Sequence, residues 1–122
     1  MGLSINIAKI PGKSEGGHIK PLVDSKKMAD IAAYMLENSL KAFETRDQEL
    51  ARGIAARDDE VDKLFYTVQV ELIEMMAKDK NIISKATYLL FMIRYIERIA
   101  DHCCNICESV VYLATSEHVK LN

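Results

Sequence analysis

The sequence predicts an all-α protein: an antiparallel three-helix bundle of long helices, preceded by a short irregular N-terminal tail. Three observations predict it. From Asp24 almost to the C-terminus apolar residues recur at spacings of three and four, the period of an amphipathic helix. Both prolines and four of the five glycines fall within residues 1–23. The helical pattern is interrupted only by short polar segments, and short connections between helices make neighbours antiparallel. A chain of 122 residues, 49% hydrophobic and 28% charged, is one domain with enough apolar side chains for a core of its own.

Residues 1–23 read as a tail or arm. Gly2, Gly12, Gly16, Gly17, Pro11 and Pro21 punctuate a polar segment, and both residue types favour turns over helix. Leu3, Ile5 and Ile7 alternate with polar or smaller residues as a strand would, suiting an arm that pairs with another chain. The first helix is predicted over about 24–45. Met28, Ile31, Ala32, Met35, Leu36, Leu40 and Phe43 mark its apolar face, with Asp24 or Ser25 as its cap. Thr45 followed by Gln48 fits a capping box, so a second helix starts at about 47 with almost no loop. Its stripe runs through Leu50, Ile54, Val61, Leu64, Phe65, Val68, Leu72, Met75 and Met76 to about residue 78. Asp79 to Asn81 makes the next turn. The third helix spans about 82–116, burying Ile93, Ile96, Ala100, Cys103, Cys107, Val110, Val111 and Ala114. The three helices form one bundle over 24–118.

Several function classes are excluded on composition. A net charge of −2 with acids and bases interspersed offers no basic stripe for nucleic acid. No apolar run approaches the roughly 20 residues that cross a bilayer, so membrane insertion is not expected. The first residues lack the apolar centre of a signal peptide, and Cys103, Cys104 and Cys107, odd in number and clustered, are no disulfide framework. A reduced, cytoplasmic protein is expected. No nucleophile–base constellation is visible, so no enzyme is expected.

The chemistry-bearing residues lie on the second and third helices. Glu97 and Asp101 are four apart, with Arg94 and Arg98 interleaved and Asn105 and Glu108 one turn on. At about 100° per residue these polar side chains share an arc opposite the apolar face. A solvated helix face accounts for that arc by itself. Asp58 and Asp62 are also four apart, at the edge of their helix's apolar stripe, where they meet a neighbouring helix. Counting from the turn near Asn81, Asp62 lies level with Glu97, and Asp58 with Asp101. Four carboxylates at one height supply oxygen ligands for a hard cation such as iron, manganese or magnesium.

These residues resemble the PhoU family of phosphate-uptake regulators. The resemblance rests on Glu97, Arg98, Asp101 and His102, then Asn105, Glu108 and the run Val110 to Leu113, together with the Asp58–Asp62 pair on the preceding helix. It covers about residues 24–118. It implies a helical bundle that binds a metal ion or cluster, of iron, manganese, zinc or magnesium, through Asp58, Asp62, Glu97 and Asp101. Arg94, Arg98, Asn105 and Glu108 would support that site or face a partner. It further implies a negative regulator that links a phosphate transporter to a phosphate-sensing histidine kinase, at most peripheral to the inner face of the membrane through those partners. Family members usually hold two three-helix repeats and this sequence holds one, so either a homodimer is expected or the sequence is a fragment or fused domain of something longer. The cysteines depart from the family's small residues.

Other readings compete. Cys104 and Cys107 form a CxxC, but mid-helix and without a second ligand pair for zinc, which favours cysteine as a small packing residue. Glu15 and His18 have di-iron spacing in a segment read as a glycine-rich loop, where the motif cannot aim both ligands inward. His102 is a candidate phosphoacceptor. A metal-free interaction domain that docks on a transporter through its acidic stripe is the alternative function.

Overall fold

The structure, a computed structural model, describes residues 16–121, with side chains described for residues 20–116. The alternation at Leu3, Ile5 and Ile7 lies outside the described residues. Four α-helices build a three-layer antiparallel bundle: α1 (Gly16–Thr45), α2 (Gln48–Ala56), α3 (Asp58–Lys78) and α4 (Ile83–Leu121). The α2–α3 pair occupies the place of one long helix, broken at Arg57. A 3-10 turn, Lys80–Ile82, joins α3 to α4. α4 packs along the length of the other helices, and the described residues include no strand.

Helix α1 begins at Gly16 rather than at Asp24, and runs through Pro21. The physical reason is burial. Pro21 and Ser25 are fully enclosed, and the Ser25 hydroxyl donates to the Pro21 carbonyl at 2.7 Å, so the proline is a packing residue rather than a stop. Asp24 and Ser25 therefore lie inside the helix and cap nothing. Asp24 instead accepts from Lys20 at 2.9 Å, and Lys20 also reaches Glu71 of α3 at 2.9 Å, tying the first turns to the bundle. Gly16, Gly17 and His18 are helical, so the loop expected at His18 is absent; Glu15 lies outside the described residues.

The face that α1 buries also differs from expectation. Met28, Ala32 and Met35 are buried, and the seam continues through Ser39 and Ala42. Together with Pro21 and Ser25 the spacing alternates four and three, a heptad seam. Leu36, Leu40 and Phe43 stand about half exposed beside it. Small Ser and Ala side chains in the seam let α1 lie close to α4, and the Ser39 hydroxyl is satisfied by the Leu36 carbonyl at 3.1 Å.

The turn after α1 is made by residues other than the expected capping box. Arg46 takes the left-handed conformation (φ 58°), and the Asp47 N–H bonds back to the Ala42 carbonyl at 3.1 Å, the six-to-one bond of a Schellman end. Asp47 then caps α2, its side chain accepting the Leu50 N–H at 3.0 Å. Thr45 stays in the last turn of α1, its hydroxyl donating to the Lys41 carbonyl.

The break at Arg57 has a local cause. Its N–H bonds to the Ile54 carbonyl, three residues back, and its own carbonyl accepts from Glu60, again at a spacing of three. The tightened turn starts a new helix at Asp58. Its first turn holds Asp58, Asp59 and Glu60, which the positive end of a helix favours. The Arg57 guanidinium lies over the Tyr34 ring of α1 at 5.2 Å and pairs with Glu60.

Candidate metal centre

The break at Arg57 and the turn at Asn81 together set the level at which α3 crosses α4. Buried Val61 and Val68 hold α3 against Ile96, Ala100 and Cys103. Beside this seam Asp58, Asp62 and Asp101 converge, each offering a carboxylate oxygen within 4.8 Å of the others. Asp58 is half-buried, while Asp62 and Asp101 are exposed. Glu97 does not belong to this trio. It lies one turn before Asp101 on α4, is half-buried, and feels the charges of both Asp101 and Asp62.

The electrostatics of the cluster are unfavourable without a counter-charge. Burial, then the charges of Asp62 and Asp101, push the Asp58 carboxyl up from 3.8 to about 6. Asp62 is raised by burial and by Asp101. Glu97 is raised by burial first, then by Asp101 and by the charge of Asp62, with Arg94 pulling the other way. Oδ1 of Asp58 is enclosed and has no hydrogen-bond partner. Among the described residues no Lys or Arg forms an ion pair with the three aspartates. Arg57, next to Asp58 in sequence, is engaged by Tyr34 and Glu60. Convergent oxygen donors, an orphaned buried carboxylate oxygen and mutual repulsion fit a hard cation, which accepts such ligands and removes the repulsion.

The remaining candidates frame the cluster. Arg94, Arg98 and Asn105 are exposed on α4. Glu108 is exposed near Cys104, whose thiol lies 3.9 Å from its Oε2, and its charge also acts on Asp58. Cys103 and Cys107 are buried in the core as packing residues. Burial pushes the thiols of Cys104 and Cys107 up to about 11, so neither is poised as a thiolate at neutral pH. His102 is exposed on α4, next to Asp101 in sequence. The sequence reading missed the Lys20–Asp24–Glu71 ion cluster. Its signal was the four-residue spacing of Lys20 and Asp24, which straddles the end of the segment read as a tail.

The PhoU domain matches residues 25–110, most of the described bundle and both acidic pairs. The chain belongs to the PhoU family. A phosphate-specific transport system accessory protein PhoU homolog of Clostridium acetobutylicum is 34% identical over 98% of this chain and 55% of its own length. The Streptococcus pneumoniae homolog is 36% identical over 79% of this chain and 44% of its length. PhoU homolog 1 of Methanothermobacter thermautotrophicus is 34% identical over 94% of this chain and 53% of its length. The chain thus spans about half the length of these curated PhoU relatives. Among the described residues, no helix is long and apolar enough to cross a membrane.

Proposed function

We propose that this chain is a cation-dependent accessory regulator of a phosphate-specific transport system, acting as a brake on uptake and on phosphate signalling. Asp58, Asp62 and Asp101 hold the cation, with Glu97 beside them through Asp101. Arg94, Arg98, Asn105 and Glu108 border the site and face partners. The role is non-catalytic. The regulator works as a homodimer in the cytoplasm, docking on the transporter at the membrane's inner face and communicating with a sensor histidine kinase. The observation that carries the reading is the convergence of three aspartates from two helices, with no paired base among the described residues, in a chain whose relatives bear the name of phosphate-transport accessory proteins.

Thermal melts in chelator and in excess manganese, iron, zinc or magnesium test the cation. Binding to the folded form alone adds about 2.7 kcal/mol at a hundred times the dissociation constant. The expected result is a rise in wild type that is lost in Asp62→Asn combined with Asp101→Asn. Equal shifts in both proteins, or none in either, sink the metal site. The regulatory role is read by radioactive phosphate uptake in a bacterium deprived of its own PhoU, where expression of this chain lowers uptake in phosphate-rich medium.

The exposure of Asp62 and Asp101 favours a second reading, a metal-free docking domain whose acids meet a basic partner. It predicts no metal in elemental analysis and partner binding that weakens with salt.

A further inference from the structure

The joint between α2 and α3 puts a base beside the acid cluster and turns it elsewhere. Ala51, Ile54, Val61 and Val68 are fully buried. Asp58 lies four residues after Ile54 and three before Val61, so it takes a place in the same seam, where a bundle ordinarily carries an apolar side chain. Its neighbour Arg57 ends α2 and begins α3, and at about 100° per residue it projects between two flanks of α3. On one flank stand Asp58 and Asp62, which meet Asp101 of α4. On the other stand Glu60, Lys63 and Leu64, which meet Lys27, Asp30 and Ile31 of α1 across a shared cleft.

Arg57 follows the second flank. Its guanidinium carbon lies 5.2 Å from the centroid of the Tyr34 ring of α1, and its Nε pairs with Glu60. The ring face attracts the cation, and Glu60, three residues on, holds it from its own helix. Lys63, the base next to Asp62, lines the α1 cleft as well. The Arg57 side chain is 39% exposed, so it has room to turn toward the aspartates once these two contacts are lost.

We infer that Tyr34 and Glu60 are positioning residues for the cation site: they hold the Arg57 guanidinium against α1 and so keep the carboxylates of Asp58 and Asp62 clear of an internal counter-charge. A guanidinium turned the other way would compete with a cation for the same oxygens and repel it at close range. Tyr34 does this from α1, a helix that supplies no carboxylate to the cluster. The inference rests on the cation reading of the proposed function and names what leaves that site open.

Calorimetric titration of the chelator-treated full chain with manganese(II), iron(II), zinc(II) and magnesium tests it, the variants being titrated with the ion that wild type binds. Tyr34→Leu removes the ring without changing the charge. It is expected to weaken binding about three- to fivefold, the worth of an exposed ion pair that competes for the same carboxylates. Tyr34→Phe keeps the ring face and should bind as wild type does. Arg57→Gln added to Tyr34→Leu should restore wild-type affinity, whereas Lys63→Gln in that background removes an equal charge from α3 and should not. Helical circular dichroism in chelator should be unchanged throughout, since Tyr34 is 42% exposed and Arg57 and Lys63 also reach solvent. Tyr34→Leu at wild-type affinity overturns the inference and leaves the cation reading standing. A loss that Arg57→Gln does not reverse, or that Lys63→Gln reverses equally, also overturns it, because the cause is then the shape of the joint or the net charge. A wild type that binds none of the four ions removes the cation reading itself, and this inference with it.

Discussion

Replacing Asp58 by Asn tests the electrostatics of the cluster most directly, because it predicts a gain in stability from removing a family motif residue. The rise of the Asp58 carboxyl from 3.8 to about 6 means that the folded protein favours the neutral form. For an acid whose pKa is raised on folding, the penalty is absent below the unfolded value, near pH 4, and complete above about pH 6. Stability of the metal-free protein therefore falls as pH rises through that window. Taken whole, the rise corresponds to about 3 kcal/mol. Water reaches this half-buried group and screens it, and loss of a negative charge at the α3 N-terminus costs about 0.3–1 kcal/mol. A net gain of about 1–2 kcal/mol at pH 7 remains, or roughly 3–8 °C in Tm for a chain of this size. The assay is a set of melts in chelator from pH 4 to 8. Asp58→Asn should melt above wild type at pH 7, converge with it near pH 4, and lose the stabilisation by added cation. If it melts below wild type at pH 7 in chelator, Asp58 is a stabilising residue and the account of a repulsive cluster is wrong.

Other expectations follow from the packing. Met35→Ala, at a fully buried seam position, should lose about 2–5 kcal/mol in urea titration. Asp47→Ala removes the α2 cap and should cost about 0.5–2 kcal/mol, whereas Thr45→Ala should cost little, the reverse of what a capping box at Thr45 requires. Lys20→Ala leaves Asp24 and Glu71 without their shared cation and should speed amide exchange in the first turns of α1, read by mass spectrometry. Thiol titration with a disulfide reagent at pH 7–8 should be slow for all three cysteines in the folded protein and fast in denaturant, given burial and raised pKa values.

The bundle was legible because most of its signals are local. The stripe from Ile54 to Leu72 and the one from Ile93 to Val110 name the buried faces of the α2–α3 pair and of α4 almost residue by residue. A core helix between two neighbours buries the face its pattern advertises. Counting from the turn at Asn81 set Asp58 level with Asp101 and Asp62 level with Glu97, and of these the structure gathers Asp58, Asp62 and Asp101. On α1 the same reading selected Leu36, Leu40 and Phe43, because side-chain size dominated over register. The structure instead follows the seam of Pro21, Ser25, Met28, Ala32, Met35, Ser39 and Ala42, where small residues permit close approach. Pro21 misled for a related reason: its local preference to break a helix is outweighed by its burial. Glu97 was grouped with the aspartates because spacing fixes only the height and arc of a side chain. Rotation of α4 against α3 brings Asp101 to the trio and leaves Glu97 beside it.

The sequence by itself determined the helical class and the acidic pairs with their family resemblance. These depend on periodicity and on residue types a few positions apart. Tertiary structure alone decided which face of α1 is buried and which three carboxylates meet. Those outcomes depend on how whole helices rotate against one another, and that rotation is set by the close packing of the core rather than by any single helix's pattern.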